Sequence, residues 1–193
     1  MNYLVHGFNV KDKGEGSVGC LRPFLPTWEM FVYGWKGLFG VMFTNKKNAT
    51  KLKAKLDNNF SNANYSNVWA HSNGCAITVN AAKQGAIIYN AILINPALPV
   101  NTVFPETMKN IIVIYTKHDK ATKAARIGNK IPLLGLFVPD AWGAMGTQGA
   151  KVPDSRVINL DFSQFLDGHS AFFERENLES LMPLVKEHMV LGE

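Results

Sequence analysis

The sequence predicts an α/β fold, a three-layer sandwich in which a mostly parallel sheet of about six strands is flanked by helices. Three observations predict it. Short apolar runs alternate with helix-like stretches along the chain, which is typical of parallel strands joined by crossover helices. Residues 91–95 and 111–115 are almost continuously apolar, as expected of strands covered on both faces. The 193 residues contain no repeat, low-complexity tract or linker, so we expect one domain over residues 1–193.

The individual elements follow from local composition. Residues 46–60 favour a helix most strongly, because apolar Leu52, Leu56 and Phe60 recur at helical spacing. Residues 34–40 are rich in glycine and aromatic residues, which predicts a turn after the second strand. Strands are predicted at residues 3–5, 30–33, 67–70, 91–95, 111–115 and 157–160, and helices at residues 18–25, 46–60, 74–84 and 170–190.

The overall composition is that of a folded protein without a membrane-spanning segment. Hydrophobic residues make up 47% of the chain and charged residues 18%, which argues against disorder. No apolar run approaches the roughly 18 residues that a membrane span needs. The N-terminus shows no basic stretch followed by an apolar one, so no secretory signal is visible and we expect a cytoplasmic location.

Charge and cysteine content argue against nucleic-acid and metal partners. Much of the formal net charge of +5 comes from lysines on the helix predicted at residues 46–60. A solvated helix face explains these lysines better than nucleic-acid binding, because no aromatic stacking motif or known docking motif accompanies them. Cys20 and Cys75 lie far apart, and no histidine cluster has metal-ligand spacing. We therefore expect no disulfide framework, no metal and no other cofactor.

The segment from Asn67 to Cys75 carries the strongest chemical signal. It predicts a buried strand that runs into Ser72, followed by a helix. The pattern Ala70-x-Ser72-x-Gly74 is a variant of the G-x-S-x-G nucleophile elbow, in which small neighbours let strand, turn and helix pass close together. A serine hydroxyl is a weak nucleophile unless a tight turn presents it beside a base. Ser72 is therefore the candidate nucleophile.

Candidate partners for Ser72 follow it in the order acid, then histidine. Asp119 comes just after the fifth predicted strand, and the alternative role for it is a helix N-cap. Asp161, near the last strand, is the reserve acid. His169 lies on a loop after the sixth strand, where Gly168 lets the backbone bring the imidazole close to another turn. Because the carboxyl ends of parallel strands share one edge, we expect the serine, acid and histidine to converge there.

Two turns could supply backbone donors for a developing oxyanion. The N–H after the serine belongs to Asn73, at a helix start where the helix dipole also favours negative charge. The second turn follows His6-Gly7 at the end of the first strand. It makes the Phe8 N–H the leading donor, with Asn9 next and assigned to substrate binding.

One segment, residues 131–146, does not fit the alternation of strands and helices. It is apolar, rich in glycine and proline, and too broken for a regular helix. It favours either a lid or acyl-chain wall, with Trp142 and Met145 as substrate contacts, or a loop folded onto the sheet edge.

With these residues in place, the chain resembles the α/β-hydrolase superfamily, and especially its minimal members such as the small bacterial lipases whose elbow also begins with alanine. The resemblance implies Ser72 as nucleophile, His169 as general base and then acid, and Asp119 as the group that orients His169. It also implies that the sheet begins at the superfamily's third strand, with residues 30–33 on one edge and residues 157–160 on the other. The motifs that carry it are Ala70-His71-Ser72-Asn73-Gly74, His6-Gly7-Phe8, Asp119 and Gly168-His169.

The expected function is that of a serine esterase, which cleaves a carboxylic ester or thioester through an acyl-enzyme intermediate. The expected substrate is a small-molecule or lipid-like ester. Residues 131–145 suggest an alternative, a lipase-like or polymer-ester hydrolase whose activity rises with acyl length. The altered elbow suggests another, a non-catalytic binding protein that retains the fold.

Overall fold

The computed structural model describes residues 2–8, 11–34, 37–60, 66–120 and 143–190. Its strands are β1 Asn2–Val5, β2 Glu29–Phe31, β3 Asn67–His71, β4 Ile88–Ile94, β5 Met108–Tyr115 and β6 Val157–Asp161. They form one parallel sheet in the order β2-β1-β3-β4-β5-β6. This arrangement confirms the predicted fold class, the six strands, and the positions of β2 and β6 at the two edges.

Helices cover both faces of the sheet. The described helices are α1 Gly37–Phe60, α2 Asn73–Lys83, α3 Met145–Gln148 and α4 Arg175–Lys186, with 3₁₀ helices at Val18–Leu21 and Ala171–Phe173. No described helix combines the length and the apolar character that a bilayer crossing needs.

The sheet separates two hydrophobic clusters because successive residues of a strand point to opposite faces. In β3, Val68 and Ala70 belong to the cluster that packs against α1 and α2. Trp69, between them, belongs to the cluster on the other face, which includes the apolar side of α4. In the central strand β4, Ile92 and Leu93 point to opposite faces and both are fully buried. Burial of each such side chain stabilises the fold by about 1.5–3 kcal/mol relative to exposure.

Three helices differ from the predicted ones. The helix predicted over residues 18–25 is a 3₁₀ helix that ends at Leu21. Helix α1 begins at Gly37, so the turn predicted over residues 34–40 is wrong for residues 37–40. Glycine costs about 1 kcal/mol in a helix interior. Extending an existing helix gains one hydrogen bond per residue, and in α1 this gain outweighs the cost. The helix predicted over residues 170–190 is divided, because Glu174 has an extended backbone (φ −66°, ψ 139°) between the 3₁₀ helix and α4.

An asparagine ladder crosses the amino end of the sheet. Four asparagines occupy aligned positions on neighbouring strands: Asn2, Asn67, Asn90 and Asn110. Each side chain bonds to the next, with donor–acceptor distances of 2.9 Å for the first pair and 2.8 Å for the other two. β4 begins at Ile88, three residues before its predicted start. The prediction missed these residues because Asn90, a member of the ladder, interrupts the apolar run.

The ladder holds the chain after α4. The side-chain amide of Asn90 donates to the carbonyl of Val190 (2.9 Å) and accepts from its N–H (2.9 Å). Asn110 donates to the carbonyl of His188 (2.8 Å). These contacts satisfy buried amide groups that would each cost about 1–3 kcal/mol if left unpaired.

Candidate active site

Ser72 lies between β3 and α2, on a tight turn. Its backbone has φ 53° and ψ −120°, a strained conformation for a residue other than glycine. Three hydrogen bonds hold it there: Ser72 N–H donates to the carbonyl of Ile94 (3.0 Å), and Ser72 O accepts from the N–H groups of Cys75 (3.1 Å) and Ala97 (3.2 Å). The surrounding backbone therefore fixes Ser72 at the carboxyl end of the sheet, at a cost of about 1–3 kcal/mol in strain.

Two glycines allow the elbow to pack against the turn after β1. A Cβ at Gly74 would lie 2.5 Å from the carbonyl oxygen of His6, closer than atoms can approach. A Cβ at Gly7 would lie 3.1 Å from both Ser72 Cβ and His71 Nδ1. The close approach of these two turns is the physical reason for the small residues around Ser72 in the sequence.

Asp119 and His169 are brought together from segments that follow β5 and β6. His169 Nδ1 lies 2.7 Å from Asp119 Oδ2. The Asp119 side chain is fully buried, whereas the His169 side chain is 22% exposed. A carboxylate at Nδ1 fixes the proton on that nitrogen and leaves Nε2 as the basic atom.

The Ser72 hydroxyl and His169 Nε2 make no hydrogen bond within the described part of the chain. Catalytic hydrogen bonds of this kind often form only when a substrate is bound.

Thr116 organises the turn that carries Asp119. Its carbonyl accepts from the Asp119 N–H (3.2 Å), and its hydroxyl donates to the carbonyl of Leu166 (2.7 Å). The second bond links the segment after β5 to the segment that leads to His169. Asp161, the reserve acid, contacts Lys117 and Ser163 instead. Its contacts give no support to a role beside His169.

His71 and Asn95 hold the backbone of His169. The carbonyl of His169 accepts from His71 Nε2 (3.1 Å) and from Asn95 Nδ2 (2.6 Å). The two rings, His71 and His169, lie 4.6 Å apart between centroids. Gly168 has open space around the position of a Cβ, so these side chains, and not a close approach at Gly168, fix this loop. Sequence reasoning missed both roles; the only available signal was a polar residue at the end of each strand.

Burial keeps His71 neutral. Desolvation, and after it the neighbouring His169, lowers the pKa of His71 to about 3. A neutral imidazole that donates through Nε2 has only a lone pair at Nδ1. That atom is buried and has no partner among the described residues.

The turn after β1 is held by His6 and Tyr33. His6 Nδ1 donates to the carbonyl of Gly7 (2.8 Å), and His6 Nε2 accepts from the Tyr33 N–H (3.4 Å). The two rings stack with centroids 4.2 Å apart. Burial lowers the pKa of His6, so its ring stays in this neutral form. Phe8, the predicted oxyanion donor, follows directly after Gly7.

Asn73, the other predicted donor, is the first residue of α2, so its N–H has no acceptor within the helix. Its side chain is buried and forms a reciprocal amide pair with Asn45 of α1, at 2.8 and 3.0 Å. Its Nδ2 also lies 3.4 Å from the Tyr33 hydroxyl. These contacts fix the start of α2.

The predicted substrate contacts are only partly described. Asn9 and Trp142 lie outside the described residues, as does most of the apolar segment 131–146. Met145 begins α3 and is fully buried in the cluster that packs against α1 and α2. In this conformation its side chain is a core residue and offers no exposed surface to a substrate. No group of three or more His, Cys, Asp or Glu side chains in the described ranges is arranged to hold a metal ion.

The sheet order and the position of the site at its carboxyl end define an α/β-hydrolase fold. The chain is similar to a protein from Xanthomonas campestris pv. campestris assigned to the alpha/beta hydrolase superfamily, with 14% identity and a TM-score of 0.54 over 96% of this chain and 98% of that one. It is also similar to Est1E from Butyrivibrio proteoclasticus, with 13% identity and a TM-score of 0.50 over 97% and 87%. No protein-family model and no curated protein matches the sequence. At these identities the likeness establishes the fold alone.

Proposed function

We propose that the protein is a serine hydrolase that cleaves carboxylic esters with Ser72, His169 and Asp119 as its catalytic triad. The observation that carries the proposal is the 2.7 Å bond between His169 Nδ1 and the buried Asp119, at the same edge of the sheet as the strained Ser72 turn. A buried carboxylate at Nδ1, a partly exposed imidazole and a serine on an elbow are the parts that acyl transfer requires.

In the proposed first step, the Ser72 hydroxyl oxygen attacks the acyl carbon while His169 Nε2 takes the hydroxyl proton. Asp119 stabilises the imidazolium that forms and keeps its ring oriented. Collapse of the tetrahedral intermediate breaks the bond to the leaving alcohol or thiol, which receives the proton from Nε2. The products of this step are an acyl-enzyme at Ser72 and a free leaving group.

Two backbone amides are suited to stabilise the negative charge on the acyl oxygen. The Asn73 N–H points from the first turn of α2, where the helix dipole favours an anion. The Phe8 N–H follows the turn that packs against the elbow. Removal of one such donor typically lowers the rate by a factor of about 10²–10³.

In the second step a water molecule replaces the leaving group. His169 Nε2 takes a proton from the water as its oxygen attacks the acyl carbon. The second tetrahedral intermediate then breaks its bond to Ser72, which regains its proton from His169. The carboxylic acid leaves and the enzyme returns to its starting state.

The structural comparisons support a hydrolase at the level of the superfamily. One similar structure is described as a hydrolase of the alpha/beta superfamily, and the other is Est1E.

The test is covalent labelling with a fluorophosphonate probe, read by intact mass and peptide mapping. Wild type should gain one probe mass at Ser72, because only an activated serine reacts quickly with this electrophile. Ser72→Ala and His169→Ala should lose the labelling. Ser180→Ala and His188→Ala, which remove the same side chains from exposed positions, should label like wild type.

Each outcome has a definite meaning. Labelling at Ser72 that disappears in both triad variants supports the proposal, and an ester series of increasing acyl length then defines the substrate. Activity that rises with acyl length would favour the lipase-like alternative. A folded wild-type protein that takes no label and cleaves no ester would favour the binding protein.

A further inference from the structure

One side chain, Tyr33, links the two turns that carry the proposed oxyanion donors. It follows β2 at the edge of the sheet and is 7% exposed. Its hydroxyl oxygen lies 2.9 Å from the carbonyl oxygen of His6 and 3.1 Å from that of Gly7. The same oxygen lies 3.4 Å from Asn73 Nδ2, on the elbow side. These three contacts join the turn after β1 to the start of α2.

A phenol has one proton to donate and lone pairs with which to accept. Its proton is shared between the carbonyls of His6 and Gly7, and its oxygen accepts from the Asn73 side chain. Burial raises the pKa of Tyr33 well above its ordinary value, so the proton remains in place over the working pH range. The hydroxyl therefore holds both turns at once.

The contact with Gly7 sets the direction of the Phe8 N–H. The peptide unit between Gly7 and Phe8 is planar, and in a trans peptide its C=O and N–H point in opposite directions. The chain has no cis peptide bond among its described residues. The Gly7 carbonyl accepts from both Tyr33 and His6 Nδ1, which fixes the plane. The Phe8 N–H is consequently aimed away from Tyr33 and His6.

The contact with Asn73 acts on the other donor. Asn73 begins α2, and its side chain is held by the amide pair with Asn45 as well as by Tyr33. A shift of this residue relative to Gly7 would change the distance between the two backbone N–H groups. An oxyanion hole needs both donors about 2.7–3.1 Å from one oxygen, so this distance matters for catalysis.

We infer that Tyr33 is a positioning residue of the oxyanion hole, whose hydroxyl sets the direction of the Phe8 N–H and its spacing from the Asn73 N–H. This inference rests on the proposed function. Tyr33 does not touch the substrate and acts only through the two turns.

The test is Tyr33→Phe, which removes the hydroxyl and keeps the ring that stacks on His6. Rates should be divided by the concentration of active sites, titrated with the fluorophosphonate probe. We expect kcat for an ester to fall about 10-fold to 100-fold, less than the loss of a whole donor, with KM within about twofold. The affinity for an arylboronic acid, whose serine adduct mimics the tetrahedral intermediate, should fall by a similar factor.

The matched control is Tyr3→Phe, which removes a phenol oxygen from another buried tyrosine of the same hydrophobic cluster. It should retain the wild-type kcat. Hydrogen exchange should be faster at residues 6–8 and 73 in Tyr33→Phe and unchanged there in Tyr3→Phe. If Tyr33→Phe does not fold, His6→Phe, which removes the other bond to the Gly7 carbonyl, should show the same fall in kcat.

The outcomes separate this inference from the proposed function. If wild type labels at Ser72 but Tyr33→Phe keeps its kcat and its boronic acid affinity, the inference is wrong and the triad stands. A rise in KM with unchanged kcat would also overturn it. If wild type neither labels nor cleaves esters, the proposed function fails and this inference fails with it.

Discussion

At the amino end of the sheet, four asparagines on neighbouring strands bond to one another, whereas at the carboxyl end the buried polar residues include strained and unpaired groups. Ser72 and Asn95 are two of the three described residues other than glycine with positive φ. His71 Nδ1 and Asn95 Oδ1 are two of the three buried side-chain atoms that lack a partner in the described chain. Proteins concentrate such exceptions at functional sites. Polar residues at the amino end therefore bond mainly to one another, whereas those at the carboxyl end include the strained and unpartnered groups that are typical of functional sites.

If the two ends of the sheet differ in this way, substitutions at the carboxyl end should affect activity most. Asp119→Asn should lower kcat by about 10³–10⁴ because the amide favours the wrong imidazole tautomer, while the free energy of unfolding changes little. Steady-state kinetics and denaturant unfolding measure the two quantities. Asp161→Asn is the matched control and should keep its activity. A similar loss in both variants would contradict the assignment of Asp119.

The largest effect at the amino end should be on stability. Asn90→Ala removes the bonds to Asn67, Asn110 and Val190, of which the bond to Asn110 is buried and the others are partly buried. We expect the free energy of unfolding to fall by about 2–4 kcal/mol, with kcat per active site unchanged. Urea unfolding and active-site titration measure these quantities, and Asn101→Ala, at an exposed position, is the control. A loss of kcat in folded Asn90→Ala protein would contradict separate roles for the two ends of the sheet.

The pH dependence of stability should come from the carboxyl end. The folded-state pKa of His71, about 3, lies below its unfolded value of about 6.5, so the unfolded state binds more protons between these values. The contribution is complete above about pH 6.5 and is lost as pH falls toward 3, with a slope of at most about 1.4 kcal/mol per pH unit. Burial lowers the pKa of His6 too, which adds in the same direction.

The measurement is urea unfolding at a series of pH values for wild type and His71→Gln. The amide of glutamine can still donate to the His169 carbonyl but does not titrate, so the curve should flatten. His188→Gln, at an exposed position, should retain the wild-type slope. An unchanged slope in His71→Gln would contradict the assignment of this pH dependence to His71.

The smallest expected effect concerns backbone strain at the elbow. Ser72→Gly and Ser72→Ala both remove the nucleophile, but only glycine adopts φ 53° without strain. After the larger chain entropy of unfolded glycine is included, we expect Ser72→Gly to be more stable than Ser72→Ala by about 1 kcal/mol. Thermal unfolding of the two variants measures the difference. Equal stabilities would mean that the elbow stores no strain.

The sequence predicted the features that depend on local pattern. The apolar runs gave the strands and their parallel class, and the small residues around Ser72 gave the elbow. The order of Ser72, Asp119 and His169 after successive strands suggested their convergence. The roles of Tyr33, His71 and Asn95 could not be predicted, because each depends on a partner far away in the chain. Tyr33 contacts a carbonyl 27 residues earlier, and Asn95 contacts one 74 residues later.

The asparagine ladder could be predicted from the sequence only in part. Each asparagine stands near the start of a strand, which the sequence shows, but the pattern alone does not give the alignment of strands that brings them together. The prediction for the start of α1 was wrong for a different reason. Two glycines within Gly37–Gly40 suggested a turn, and the continuation of a long helix outweighed their low helix propensity.

The strand order has a consequence for how the chain folds. β1 lies between β2 and β3, and Asn2 pairs with Asn67, 65 residues later. A ribosome that adds about 5–20 residues per second needs several seconds to supply this partner. During that interval β1 can pair only with β2, and its other edge is exposed. β1 therefore cannot complete its pairing on both edges before β3 has been synthesised.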